Sequence, residues 1–293
     1  MFLKDIKEIT EDKVEVIKEA EFDTLLLLGK GNRYSGRLIS YIESLEYAKQ
    51  LKEDNVSAVI CSKDIVKEIL ELFDGGVCAT NNPRKIFWEI HNYLYRIEKQ
   101  IFPTQIAESA IIEQSAIISE NNVIIGNNVV IMPNVIIKED VIIGDNTTVH
   151  ENVIIGKEGF YYYGDGNEKR LVQSAGKVFI GKNVDIHTNT VIAKGVLCGD
   201  TIIGDNTKIG TNCIIGHDAV VGKNCTITPA SFISGGTIVG DDSYIGLSTT
   251  TLPYVKIGNR SKTAAGCVVD RNVPDDSQIV NFEMRKNHII KLR

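Results

Sequence analysis

The sequence is poor in the residues that mark several protein classes. It holds one tryptophan, three methionines and six prolines in 293 residues. No apolar run approaches the ~18 residues of a membrane-spanning helix. The six cysteines (Cys61, Cys78, Cys198, Cys213, Cys225, Cys267) include no C-x-x-C pair. The usual zinc and dithiol signatures are therefore missing, and the cysteines read as reduced thiols. The first residues, Met1 to Asp5, carry charge early and lack an apolar signal core. These features give the expectation of a cytoplasmic protein with no membrane span. There is no basic stripe, and the formal charge is −6. Nothing in the electrostatics argues for nucleic acid, although a bulk charge leaves a local anion site open. Hydrophobic content of 43% and charged content of 24% are ordinary for a globular chain.

What is present is a strict rhythm of six. Ile203, Ile209, Ile215, Val221, Ile227, Ile233, Val239, Ile245, Thr251, Ile257, Thr263 and Val269 stand six apart, and ten of these twelve are Ile or Val. A helix would space apolar residues by three and four, and an amphipathic strand by two. A period of six fits a hexapeptide-repeat β-helix, in which each hexad is one short strand and a turn. Branched aliphatics then stack into a continuous bore. Glycine follows the aliphatic in Ile203-Gly204, Ile215-Gly216, Val239-Gly240 and others, where a residue without Cβ tolerates tight corners and close approach of coils. The same rhythm runs through Ile125 to Ile155 and through Ile180, Ile186 and Ile192.

The first hundred residues lack this rhythm. Short apolar runs at 24–28 and 56–61 read as buried strands, and 64–73 and 83–99 have helical spacing. Ile86, Ile90, Tyr93, Leu94 and Ile97 share one face of the latter. The reading is a small α/β domain over 1–101, a parallel β-helix over 102–270, and a C-terminal tail or helix over 271–293 that covers the open end. The array is interrupted by a long insert at 157–176 and by an eleven-residue step between Ile192 and Ile203. The insert carries Phe160, Tyr161, Tyr162 and Tyr163, which favour an ordered contact surface able to reach a neighbouring subunit.

His217 follows Ile215-Gly216 and so sits at a coil corner outside the bore, with Asp218 next. A neutral imidazole can take a proton from an attacking amine or hydroxyl. A corner histidine is also ordinary solvated decoration. His91 and His288 read as structural. His150 and His187 are further corner candidates, and a metal site shared between subunits lacks a close histidine pair in the sequence. Counting coils stacks Lys194, His217, the Gly235-Gly236 pair and Pro253-Tyr254 along one edge, as if lining a groove for an acyl carrier and a polar acceptor. The plainer reading of those glycines is that they make turns.

Three stretches resemble the UDP-3-O-acylglucosamine N-acyltransferases, the lipid A (lipopolysaccharide) branch of the hexapeptide-repeat acyltransferases. They are 39–47 with Val56 to Ile60, then Gly156 to Phe160 with Gly181 to Thr190, and Ile215 to Gly222. The resemblance implies a left-handed parallel β-helix and a C3 homotrimer with its active site between subunits. It implies a nucleotide (uridine)-binding first domain in which an aromatic, an asparagine three residues on and a tyrosine six residues on hold the uracil. Tyr41 and Tyr47 match, and Ser44 stands for the asparagine. It makes His217 the general base, with no permanent cofactor or metal. The co-substrate would be an acyl carrier protein or coenzyme A thioester, and the acceptor a nucleotide-linked amino sugar. A second family histidine falls on Tyr254. The family's C-terminal helical extension is mostly without counterpart after Val269, and 266–274 looks more like acetyl-CoA-dependent sugar acetyltransferases. Two other functions therefore stay open. One is N- or O-acetyl transfer to a dideoxy amino sugar nucleotide. The other is a non-catalytic trimeric scaffold or sugar-binding module.

Overall fold

The computed structural model describes residues 1–10, 13–29, 36–164, 166–197 and 199–280. Of the tail or helix expected over 271–293, residues 281–293 lie outside the described residues, as does Cys198. The chain divides into two compact units. The first comprises Met1–Gln100, Gly159–Ala175 and Val196–Gly199, and the second Ile101–Glu158, Gly176–Gly195 and Asp200–Arg293. The insert, placed by its sequence position in the repeat domain, thus folds with the first unit over 159–175.

In the first unit, strands β1 (Glu15–Lys18), β2 (Thr24–Leu25), β3 (Leu38–Ile42), β4 (Val56–Ser62) and β5 (Gly76–Thr80) form one sheet in the order β1-β5-β4-β3-β2. β1 runs antiparallel to β5 and the other neighbours are parallel. β4 and β5 are buried along nearly their whole length, as their uninterrupted apolar runs require. Helices α1 (Ile6–Ile9), α2 (Ala48–Glu53), α3 (Val66–Leu72) and α4 (Pro83–Glu98) cover the sheet. α4 starts where Asn82 accepts the Lys85 N–H at 3.0 Å and proline occupies the first turn. Its buried face is Ile86, Phe87, Ile90 and Leu94, while Ile97 is exposed and Tyr93 only half-buried. The expected apolar stripe is therefore rotated and shortened, because Trp88 and His91 on the flank are also covered.

The insert supplies that cover. Tyr162–Tyr163 pairs antiparallel with Arg170–Leu171 in a small hairpin. Tyr161 packs on Trp88 with ring centroids 5.0 Å apart. His91 Nε2 donates to the Gln173 carbonyl at 2.8 Å. Asn92 exchanges two bonds with the same segment, Nδ2 to Leu171 O at 3.2 Å and Gln173 N to Oδ1 at 2.9 Å. Tyr163 is buried in the first unit's core, whereas Phe160 is 83% exposed. So Phe160 is open to solvent, but Tyr161 and Tyr163 are turned into their own unit.

The second unit is a left-handed parallel β-helix. Its short strands stack into three walls of nine, eight and eight strands. All twelve residues of the Ile203–Val269 rhythm are buried, including Thr251 and Thr263. Those two replace bore packing with hydrogen bonds: Thr251 Oγ1 meets Thr237 Oγ1 and Thr263 Oγ1 meets Thr249 Oγ1, both at 2.9 Å. Corners are turned mainly by Asn and Asp, not by glycine. Asn206, Asn212, Asp218, Asn224 and Asp242 lie in the left-handed region with φ near 60°, which these side chains tolerate. The glycine after each aliphatic serves close approach instead. A Cβ on Gly240 would stand 2.5 Å from the Asn259 nitrogen of the next coil.

The outward residues differ by wall. One eight-stranded wall shows a column with Ile136, Ile154, Ile214, Phe232 and Val268. The other shows Ile142, Phe179, Ile202, Val220 and Ile238. The nine-stranded wall is mixed: its column holds Asp185, Lys208, Thr226 and Lys262 together with Ile111, Val130 and Tyr244. The two apolar walls meet at the corner that carries His217.

Candidate active site

That corner is built by register. Ile192 pairs with Ile215, Ile215 with Ile233, and Phe232 with Thr250. Two residues beyond the first two pairings and three beyond the last, Lys194, His217, Gly235 and Pro253 stack in one column. The adjacent column holds Asp200, Asp218, Gly236 and Tyr254, since Ile202 pairs with Val220 and Val220 with Ile238. Both interruptions of the array, 157–176 and 194–200, fall in the turn between these same two walls.

His217 and Asp218 form a dyad. Asp218 takes the left-handed conformation at φ 58°, and its Oδ2 lies 2.7 Å from His217 Nδ1. A carboxylate there fixes the Nδ1–H tautomer and leaves Nε2 as the basic nitrogen. The imidazole keeps 16% side-chain exposure, so it is held but reachable. The ring lies over Gly235, where an added Cβ would be 2.6 Å from Nε2. Tyr254 lies in the same way over Gly236, which has φ 68°. The Gly236 N–H is taken by the His217 carbonyl at 2.8 Å and the Tyr254 N–H by the Gly235 carbonyl at 3.0 Å.

The Gly235 N–H differs. At another corner, the equivalent amides of Lys223 and Asp241 are capped by the Asp241 and Asn259 side chains of the next coil. Pro253 stands where that cap would be for Gly235 and has no side-chain acceptor. Among the described residues the Gly235 amide has no acceptor. It is a donor without an acceptor, on the glycine that the imidazole covers.

Lys194 is not a groove cation. Its side chain is 4% exposed, and its ammonium sits 3.4 Å from Asp140 and 3.2 Å from Glu158. Burial of a charge demands such partners. Asp200, which nothing in the sequence singles out, lies one coil from Asp218. Burial raises its carboxyl above the usual aspartate range and the nearby Asp218 charge adds to this, while the Lys177 N–H at 2.7 Å opposes the shift. Asp200 stands eighteen residues before Asp218, one regular coil, so counting back from Asp218 places it beneath.

His150 and His187 do come together, contrary to the expectation that no close histidine pair exists. Their rings stack at 4.4 Å with 11° between planes, and His150 Nε2 is 3.6 Å from Asp185. Parallel rings do not converge on one ion, and among the described residues no group of three His, Cys, Asp or Glu could hold a metal.

In the first unit Tyr41, on β3, packs half-buried on Phe87 at 5.0 Å between centroids. Its phenol is pushed up to about 12, by burial first and by Tyr161 second. Ser44 precedes a short 3-10 turn, Leu45–Tyr47, whose Tyr47 is exposed. One tyrosine is thus anchored and the other open to solvent.

Residues 122–157 and 200–235 match the bacterial transferase hexapeptide (six repeats) family, and 236–271 the hexapeptide repeat of succinyl-transferase. The chain is similar to a UDP-3-O-acylglucosamine N-acyltransferase of Methylorubrum extorquens, 34% identical over 125 residues, 42% of this chain and 35% of that protein. It is 27% identical over 129 residues to the protein of that name from Herminiimonas arsenicoxydans, 44% of this chain and 37% of that one. The matched segments span little more than a third of these relatives. Among solved structures, UDP-N-acetylglucosamine acyltransferase from Campylobacter jejuni is 30% identical, covering 58% of this chain and 68% of that chain with a TM-score of 0.47. The chain resembles the UDP-3-O-acylglucosamine N-acyltransferases within the hexapeptide-repeat acyltransferase superfamily.

Proposed function

We propose that this chain is an N-acyltransferase that moves an acyl group from a thioester carrier to the amine of a nucleotide-linked amino sugar. The observation that carries the reading is the His217–Asp218 dyad, 2.7 Å between Nδ1 and Oδ2, beside the uncapped Gly235 amide. The amine nitrogen attacks the thioester carbonyl while His217 Nε2 takes its proton. The Nδ1–H bond to Asp218 stabilises the imidazolium that forms. The Gly235 N–H receives the carbonyl oxygen as it becomes an oxyanion. The tetrahedral intermediate then expels the thiolate, which takes the proton back from imidazolium, so the base is restored and no water is consumed. Tyr47 stacks on the base of the acceptor nucleotide and Tyr41 lines the same site.

The acyl donor is an acyl carrier protein or coenzyme A thioester, neither held permanently. Among the described residues no helix is long and apolar enough to cross a membrane, and the five described cysteines are unpaired and buried, in keeping with work in the cytoplasm.

The working assembly is a C3 homotrimer. The two apolar walls that share the His217 edge support it, since exposed Ile214, Phe232, Ile202 and Val268 form columns that need cover. Cyclic closure covers equivalent surfaces without leaving an open face. The test is thioester consumption with acyl-carrier and coenzyme A donors against a panel of UDP- and dTDP-amino sugars. Turnover that requires an amino sugar and is lost in His217→Ala is the expected result. A trimer that binds sugar nucleotide but consumes no thioester would overturn the reading in favour of a non-catalytic module.

A further inference from the structure

The first unit contains a cavity of about 760 Å³ that the proposed reaction does not use. Its floor is the face of α4 carrying Glu89, Tyr93 and Arg96, spaced by four and three, and its far wall is the insert hairpin with Arg170. Lys13 closes one side. The opposite face of α4 carries Phe87, against which Tyr41 packs, so this cavity is separate from the tyrosine pair.

The walls are fixed before any ligand arrives. Asn92 holds the hairpin strand by its two backbone bonds and His91 adds a third. The lining has a charge excess that the chain lacks as a whole. Among the described lining residues Lys13, Arg96 and Arg170 stand with one carboxylate, Glu89, in a chain of net charge −6. The other nearby acid, Glu168, bonds Lys85 at 3.0 Å and reaches Arg170 and Lys13 only through weaker charge attraction. Neither Arg96 nor Arg170 has a hydrogen-bond or ion-pair partner for its guanidinium among the described residues. Two planar guanidinia on opposite walls suit phosphate oxygens, which each can engage through two parallel N–H bonds. Ile9, Tyr93 and Leu171 supply an apolar surface for an organic body. The volume lies in the ordinary range for small-molecule sites.

We infer that this cavity binds a small organic phosphate carrying at least two negative charges, with Arg96 and Arg170 as its anchors. The site stands apart from the His217 chemistry: binding there can hold even if thioester consumption is never found.

The experiment is calorimetric titration of the full chain with inorganic pyrophosphate at low ionic strength, repeated on Arg96→Gln, Arg170→Gln and Tyr47→Ala. Saturable binding is expected, weakened about tenfold or more by either arginine substitution and unchanged by Tyr47→Ala. Both arginines are exposed, so the substitutions leave the core intact, and the fluorescence of the single tryptophan, Trp88, checks this. Absence of saturable binding to the unsubstituted protein would overturn the inference. So would affinity in both arginine variants equal to that of the unsubstituted protein.

Discussion

Gly235 lies so close under the imidazole of His217 that a methyl carbon on it would stand 2.6 Å from Nε2. The ring's position is therefore set from two sides, by Asp218 at Nδ1 and by the bare Cα of the next coil. Gly235→Ala must push the ring off its place or shift the backbone beneath it. Turnover is expected to fall by about 10²-fold, the scale of a misplaced catalytic group. Far-ultraviolet dichroism and assembly should be unchanged, because the bore residues Ile215 and Ile233 are untouched. Unaltered turnover would show that the ring's seat does not matter.

His217→Ala should lower kcat by about two orders of magnitude or more, within the range for a general base, without loss of fold. Asp218→Asn is the companion variant. Asparagine tolerates the left-handed φ, as Asn206 and Asn224 do at neighbouring corners, so the corner survives while the carboxylate charge is lost. Its kcat should lie between those of the parent and His217→Ala. An Asn variant at full activity would remove Asp218 from the dyad.

Asp200 gives a pH test. Its folded carboxyl is raised by burial, so between the ordinary aspartate range and the raised value the folded state holds more protons than the unfolded one. Its contribution to stability is full below the ordinary range and is lost as pH rises through the folded value. Asp200→Asn keeps an oxygen for the Lys177 N–H and carries no charge. The Tm of the Asn variant minus that of the parent should therefore grow from about pH 3 to pH 7. A difference that stays flat with pH would contradict the burial argument.

The two tyrosines should separate in kind. Tyr47 is exposed, so Tyr47→Ala is expected to raise KM for a UDP-sugar with little change in kcat or Tm, because stacking remote from the amine is uniform binding. Tyr41 rests on Phe87, so Tyr41→Ala should also cost about 1–3 kcal/mol of stability. Absorbance titration should show one phenol ionising at about 12, above the ordinary tyrosine range. KM unchanged in both variants would place the nucleotide elsewhere.

The shared-site proposal can be checked by mixing. A His217→Ala chain combined with a chain disabled only at Phe160, the exposed residue of the insert, should regain activity in hybrid trimers. One interface then combines two intact halves. Sedimentation showing a fully active monomer would refute the assembly, and hybrids that stay inactive would refute the sharing.

The bore is legible in the sequence because a period of six has one structural meaning and every position of it points inward. The His217 column is legible too, since stacking in a solenoid is counting. What escapes the count depends on places where the period breaks. The five residues added between Ile192 and Ile203 displace Lys194 from the regular eighteen-residue count, and the insert before it hides its partners. The corner residues differ in kind from the expectation: glycine is conspicuous in the sequence, but Asn and Asp hold the left-handed turns. The insert's aromatics suggest a surface for another subunit, whereas Trp88 and His91, some eighty residues earlier, draw Tyr161 and Gln173 onto α4. A single sequence without coil-to-helix distances contains no signal for that.

The division of the chain has a consequence for how it can be cut. The backbone passes between the two units at five places, after residues 100, 158, 175, 195 and 199. A fragment of residues 1–100 would therefore lack the hairpin that covers Trp88 and His91, and a fragment starting at 101 would carry that hairpin with nothing to cover. Loop closure tolerates such detours cheaply, at about 0.6 kcal/mol per doubling of length. Their effect is felt in inheritance instead. No single recombination junction can trade the first unit for another, so the pair must be passed on and varied as one piece.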